Sequence, residues 1–211
     1  IDGISSCDRR PDVLRDIFIV TEEFFLPNVS LDVYVKMNRP FYPNFSQEVL
    51  DRCLQDFELP LSLNLNELSM GQKKKAYMSF ALATGTKYLF MDEPTNGLDI
   101  PSKSQFRKVI ANNMTDERML IISTHQVHDI ESLLDHIVIL NQNNLLLDAS
   151  VADICEDYSF EYRTPAEMDD TVLYAEPTLQ GNAVIAKRKA GSRETQMNLE
   201  LLFNAAINGK L

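Results

Sequence analysis

The sequence predicts an α/β chain built on a parallel sheet, followed by a smaller α+β region. Apolar segments of strand length alternate with helical segments between residues 87 and 142, the rhythm of a parallel sheet with crossover helices. Two of those strands run into polar residues, "MDE" and "STH", at the carboxyl ends where such sheets bind ligands. From about residue 157 the pattern changes to short strands separated by turn residues.

"DIFIV" (16–20) is a β-branched strand. Pro27 and Asn28 then mark a turn, and Ser30 is a candidate N-cap. Ser46 opens a helix with Val49, Leu50, Cys53, Leu54 and Phe57 at helical spacing, and Pro60 lies beyond its end. Ser69 and Gln72 have capping-box spacing, so a helix starts at Ser69 and ends near Gly85. "KYLFMD" (87–92) reads as a fully buried strand, and residues 101–114 as an amphipathic helix with Phe106, Val109 and Ile110 inward. "RMLIIST" (118–124) is a second buried strand, "HQVHDIESLLD" (125–135) a helix, and "HIVILNQ" (136–142) a strand. "NNLLLDAS" returns as a hairpin and "SVADICED" is a short helix. "YSFEYR", "TVLYAEP" and "NAVIAKR" are strands, and "NLELLFNAAI" is a closing helix.

The 211 residues carry 31 acids against 20 basic residues, a net charge of −11. That balance argues against a broad nucleic-acid face and is compatible with a metal nucleotide held among carboxylates. Hydrophobic residues make up 45% of the chain, but no run approaches the ~20 residues that span a bilayer. Cys7, Cys53 and Cys155 are far apart, with no metal-type spacing, which suggests a reducing, intracellular setting. The chain opens on Ile1 without a signal-peptide pattern, so it is expected to be a piece or a processed product of something longer.

The chemistry concentrates at the strand ends. Asp92 can hold Mg²⁺, Glu93 can orient or deprotonate a water, and His125 can hydrogen-bond a terminal phosphate. The helix start at "LSMGQ" offers free N–H groups and a favourable dipole to an anion, with Gly71 allowing close backbone approach. "KKK" (73–75) reads as a solvated face. His125 and His128 stand at i, i+3 without a third ligand, so they make no metal site.

Together these residues resemble the ATP-binding subunit of an ABC transporter. "LSMGQ" is similar to the signature motif, with Met70 where the family usually has glycine. "YLFMDE" resembles the Walker B strand with its catalytic glutamate, "NGLD" the D-loop, and "STHQ" the switch-histidine loop. Order and spacing match from about residue 13 to residue 148, and "FYPNF…FELPL" suggests the YtrB-like branch of small bacterial transporters. The resemblance implies a P-loop NTPase (RecA-like) sheet with an ABC helical subdomain at about 28–84, within a partial ATPase domain at 1–150. Residues 151–211 form an accessory region.

The resemblance also assigns roles. The cofactors are ATP and Mg²⁺, with Asp92, Glu93 and His125 serving the subunit's own nucleotide. Ser69, Gly71 and Gln72 serve the nucleotide of an opposite subunit, and Asp99 lies at the dimer interface. Glu22 falls where the family has its Q-loop glutamine. Partners are a second ATPase subunit and a transmembrane permease, with no nucleic acid, at the cytoplasmic face of the cell membrane. The alternatives are a soluble ABC-type ATPase or a regulatory module without a P-loop.

One departure is larger. None of the seven glycines begins the G-x-x-x-x-G-K-[ST] pattern of Walker A, so no phosphate cradle is present and this chain alone is not expected to hydrolyse ATP. The missing strand is expected to leave a gap beside the Walker B strand, open to strand exchange with a second copy.

Overall fold

The computed structural model describes residues 1–189 and 191–211. It falls into two compact units, Ile1–Asp129 and Ile130–Leu211.

The first unit begins with the short helix α1 (Pro11–Leu14) and strand β1 (Ile17–Val20). Helices α2 (Leu31–Asn38), α3 (Gln47–Asp56) and α4 (Met70–Ala83) follow. Strand β2 (Tyr88–Asp92), helix α5 (Ile100–Asn113) and strand β3 (Met119–Ser123) complete it. The helix starts obey the capping rule: Ser30, Ser46, Ser69 and Asp99 each accept a hydrogen bond from a backbone N–H in the first turn. Past the end of α4, Gly85 sits at φ +63°, and a Cβ there would stand 2.6 Å from the Asn44 carbonyl oxygen. Glycine is required at that point by both conformation and space.

The three strands are parallel in the order β1-β2-β3, in register from Ile17↔Tyr88 and Tyr88↔Met119 onward. Phe18, Val20, Leu89 and Met91 lie on one face and are buried. Phe80, fully buried on α4, holds that face to the helices: its ring lies 5.8 Å from Phe18, 5.0 Å from Tyr34, 5.6 Å from Phe45 and 6.2 Å from Tyr42. One side chain thereby joins strand β1 to helix α2 and to the turn before α3.

The other face corrects an expectation. Both 87–92 and 118–124 were expected to be wholly buried, yet burial alternates along β2 and β3. Ile19 and Met119 are each 54% exposed and Ile121 is 42% exposed. The sheet is covered on one side only, so alternate residues meet solvent. The expected gap is also displaced. The Walker B-like strand β2 is paired on both sides, and the open edges of this sheet among the described residues are those of β1 and β3.

Residues 125–135 are not an α-helix. They form two 3₁₀ turns, Val127–Asp129 and Glu131–Leu133. Arg107 on α5 donates to the Asp129 carbonyl at 3.4 Å and Lys103 pairs with the Asp129 carboxylate at 2.7 Å. The backbone acceptor that a continuing helix would use is therefore already engaged.

The second unit opens with the hairpin β4 (His136–Asn141) and β5 (Asn144–Ser150), turned by Gln142 and Asn143 at φ +46° and +68°. Strand β4 was expected to extend the parallel rhythm; it pairs instead antiparallel with β5 alone. Helix α6 (Val151–Asp157) leads to β6 (Tyr158–Arg163), β7 (Val172–Thr178) and β8 (Gly181–Lys187), and then to α7 (Leu199–Ile207). The order β6-β8-β7 is antiparallel, with β8 central and Val184–Ala186 fully buried. Helix α7 packs on β8 and on the β4–β5 hairpin. The hairpin lies in the compact unit that starts at Ile130.

Two outcomes follow from this packing. Phe80→Ala should destabilise the first unit by about 3–5 kcal/mol, read as a lowered midpoint of chemical denaturation. Burial pushes the Cys53 thiol up to about 12 and raises that of Cys155, whereas Cys7 is exposed. Alkylation at about pH 8 should modify Cys7 alone in the folded chain and all three cysteines in denaturant, as counted by mass spectrometry.

Candidate functional site

The parallel register sets Asp92 at the end of β2 opposite Ser123 at the end of β3. Asp92 Oδ1 accepts a hydrogen bond from Ser123 Oγ at 2.6 Å. The chain then turns at Glu93, which takes the left-handed value φ +43° without being glycine, a strained conformation that the surroundings must hold. They do so from several sides. The Glu93 N–H donates to the Ser123 carbonyl at 2.8 Å. Its carboxylate accepts from Thr124 Oγ1 at 2.8 Å and from the His125 N–H at 2.9 Å, and lies 2.6 Å from His125 Nδ1.

These contacts fix charge as well as position. Burial pushes the Glu93 carboxyl upward, but hydrogen bonds from His125 and Thr124 outweigh it and hold the group below its ordinary value. Facing a carboxylate, His125 Nδ1 carries the proton. The imidazole is 73% exposed and the Glu93 side chain only 14%. Glu93 is thus a sheltered anion and His125 a ring reaching outward from it.

A cation lies beneath. Lys74 is 4% exposed, and its ammonium donates to the Glu93 carbonyl at 2.7 Å and to the Asn96 carbonyl at 2.9 Å. Burial lowers its pKa, against the opposing charges of Glu22, Glu93 and Asp92. The reading of 73–75 as a solvated face fails here. Lys74 shares a helical face with Met78, Ala81 and Leu82, all buried, and that spacing was the available signal.

The remaining candidates surround this core. Ser69 and Gln72 form a reciprocal capping box, Ser69 Oγ accepting from the Gln72 N–H at 3.3 Å and Gln72 Oε1 from the Ser69 N–H at 3.0 Å. At Gly71 a Cβ would meet the Gly97 carbonyl oxygen at 3.9 Å and Leu98 Cδ2 at 4.0 Å, ordinary contacts that leave room for a side chain. Asp99 caps α5 through Ser102 at 2.9 Å, and that bond holds its carboxyl below the ordinary range. Glu22 accepts from Asn96 Nδ2 at 2.5 Å, and Asn96 Oδ1 accepts from Gln126 at 3.4 Å. Asn96, in the turn after Glu93, therefore joins Glu22 to the segment after His125.

Asp92, with a single carboxylate at an exposed strand end, fits a hard divalent ion that takes its other oxygens from phosphate and water. Among the described residues no group of three or more His, Cys, Asp or Glu is arranged to hold a metal alone. The phosphate side does not fit: no glycine-rich cradle accompanies these acids in the 211 residues.

Solved ATP-binding subunits of ABC transporters share this fold. A solved structure described as the ATP binding subunit of an ABC transporter matches with a TM-score of 0.63 at 22% identity, over 73% of this chain and 67% of that one. A bacterial Atm1-family ABC exporter with ATP bound matches at a TM-score of 0.56, 19% identity, 72% of this chain and 28% of that one. In sequence, the homologues are ATP-binding proteins of ABC transporters. The zinc uptake system ATP-binding protein ZurA of Listeria innocua is 30% identical over 107 residues, 49% of this chain and 41% of that protein. The energy-coupling factor transporter ATP-binding protein EcfA2 of Ligilactobacillus salivarius is 32% identical over 92 residues, 43% and 32% respectively. The chain spans less than half the length of these curated relatives. No protein-family model matches it.

Proposed function

We propose that this chain is part of an ATP-hydrolysing subunit that energises an ABC transporter. The observation that carries the reading is the Glu93–Thr124–His125 cluster beside Asp92–Ser123, on two strands in parallel register. A sheltered carboxylate anchored by a histidine, next to a second acid suited to Mg²⁺, can position a water for attack on a metal-bound phosphate.

In this reading Asp92 would hold the metal, Glu93 would orient or deprotonate the attacking water, and His125 would present Nε2 to the terminal phosphate. Bound Mg-ATP would supply the phosphoryl group, and its cradle would have to come from polypeptide other than these 211 residues. The N-terminal turn of α4, with Ser69, Gly71 and Gln72, addresses the nucleotide of an opposite subunit. Packing within the chain leaves room for a Cβ at Gly71, which supports an outside cause for glycine there. Asp99 lies at the subunit interface. Glu22, which bonds to Asn96, stands for the Q-loop glutamine and would face the nucleotide. The domain at residues 1–150 is the ATPase part, with its helical subdomain at about 28–84, and 151–211 is accessory. The partners are a second ATPase subunit and a transmembrane permease. No helix among the described residues is long and apolar enough to cross a membrane, and the working place is the cytoplasmic face of the cell membrane. "FYPNF…FELPL" supports the YtrB-like branch within this reading.

The test uses the longer polypeptide that contains this chain. Glu93→Gln should lower its ATP turnover by about a hundredfold or more while nucleotide binding persists; full turnover in that variant would sink the reading. Gly71→Ala should leave the 211-residue chain as stable as before, or more stable by up to about 1 kcal/mol from helix propensity. The same change should lower turnover in the dimer.

A further inference from the structure

We propose that Lys74 is a positioning residue that fastens the first turns of α4 to the turn carrying Glu93, so that the two loops behave as one body. The inference rests on the proposed reading for its purpose, since those loops serve opposite nucleotides there.

The geometry is a two-bond attachment from one side chain: the Lys74 ammonium donates to the carbonyls of Glu93 and Asn96, at 2.7 and 2.9 Å. Both ends of the Glu93–Asn96 turn are thus held to helix α4. The Glu93 carbonyl also accepts from the Asn96 N–H at 3.1 Å, so Lys74 braces a turn whose first residue sits at φ +43°. That residue's carboxylate is the one bound by Thr124 and His125. A displacement of the α4 N-terminus therefore passes to Glu93 through Lys74 rather than through the long path along α4 and β2. An apolar residue of similar length would fill the space and leave the two carbonyls without this donor, whereas arginine keeps a charged donor at the position.

Amide hydrogen exchange on the 211-residue chain tests this, comparing Lys74→Met and Lys74→Arg with the parent. In Lys74→Met, exchange at Asn96, Leu98 and His125 should speed up by about tenfold or more. Amides of Met91 in β2 and Leu82 in α4 should keep their rates, and Lys74→Arg should restore slow exchange at the three reporters. Unchanged rates at those reporters, or one common factor across the whole unit, would overturn the proposal. Should Lys74→Met not fold, Lys74→Gln takes its place in the same comparison, and failure of both to fold would show a general core role instead. Hydrolysis is not read in this experiment, so it can fail or succeed independently of the proposed activity.

Discussion

The in-register parallel pairing of β2 with β3 is the constraint on which the rest of the site depends. It brings Asp92 beside Ser123 and lets the Glu93 backbone bond to the same serine. A slip of one residue would turn every side chain of β2 to the other face of the sheet and separate the Glu93 carboxylate from Thr124 and His125. The register is held in turn by the buried face of the sheet, which carries Leu89 and Met91, and by Phe80 at the centre of its aromatic cluster. Core packing and site geometry are one arrangement seen at two levels.

Charge is managed by the same economy of elements. Carboxylates at the end of a half-buried strand are costly unless they are met by donors or cations. Glu93 is met by Thr124 and His125 on the outer side, and its backbone by Lys74 on the inner side. Asp92 is met by Ser123. Glu22 and Asn96 extend the network to the segment before α2. The signature-like turn is self-capped, which leaves its remaining N–H groups free to meet an outside anion.

Much of this was legible in the sequence because the signals were local. Caps at Ser30, Ser46 and Ser69 depend on a few adjacent residues, as does the apolar run of β2. The acids and histidine were found from strand ends, and the structure brings Glu93 and His125 into contact as expected. What was misread depends on distant partners. The exposed face of β3 follows from the covering of only one side of the sheet, which no window of the sequence reports. The segment 125–135 has helical composition, but Arg107 and Lys103, about twenty residues earlier, hold Asp129 in another conformation. Lys74 was hidden inside a run of three lysines, where charge suggested solvent and only its phase relative to Met78 and Ala81 pointed inward.

On the proposed reading, this chain carries the acid half of an ATP site and not the half that holds the phosphates. The most direct measurement is calorimetry of the 211-residue chain with Mg²⁺ and ATP. The account predicts no stoichiometric binding, because no cradle of backbone N–H groups and lysine accompanies Asp92 and Glu93. Tight one-to-one binding would contradict it, and some other part of these residues would then have to hold the phosphates.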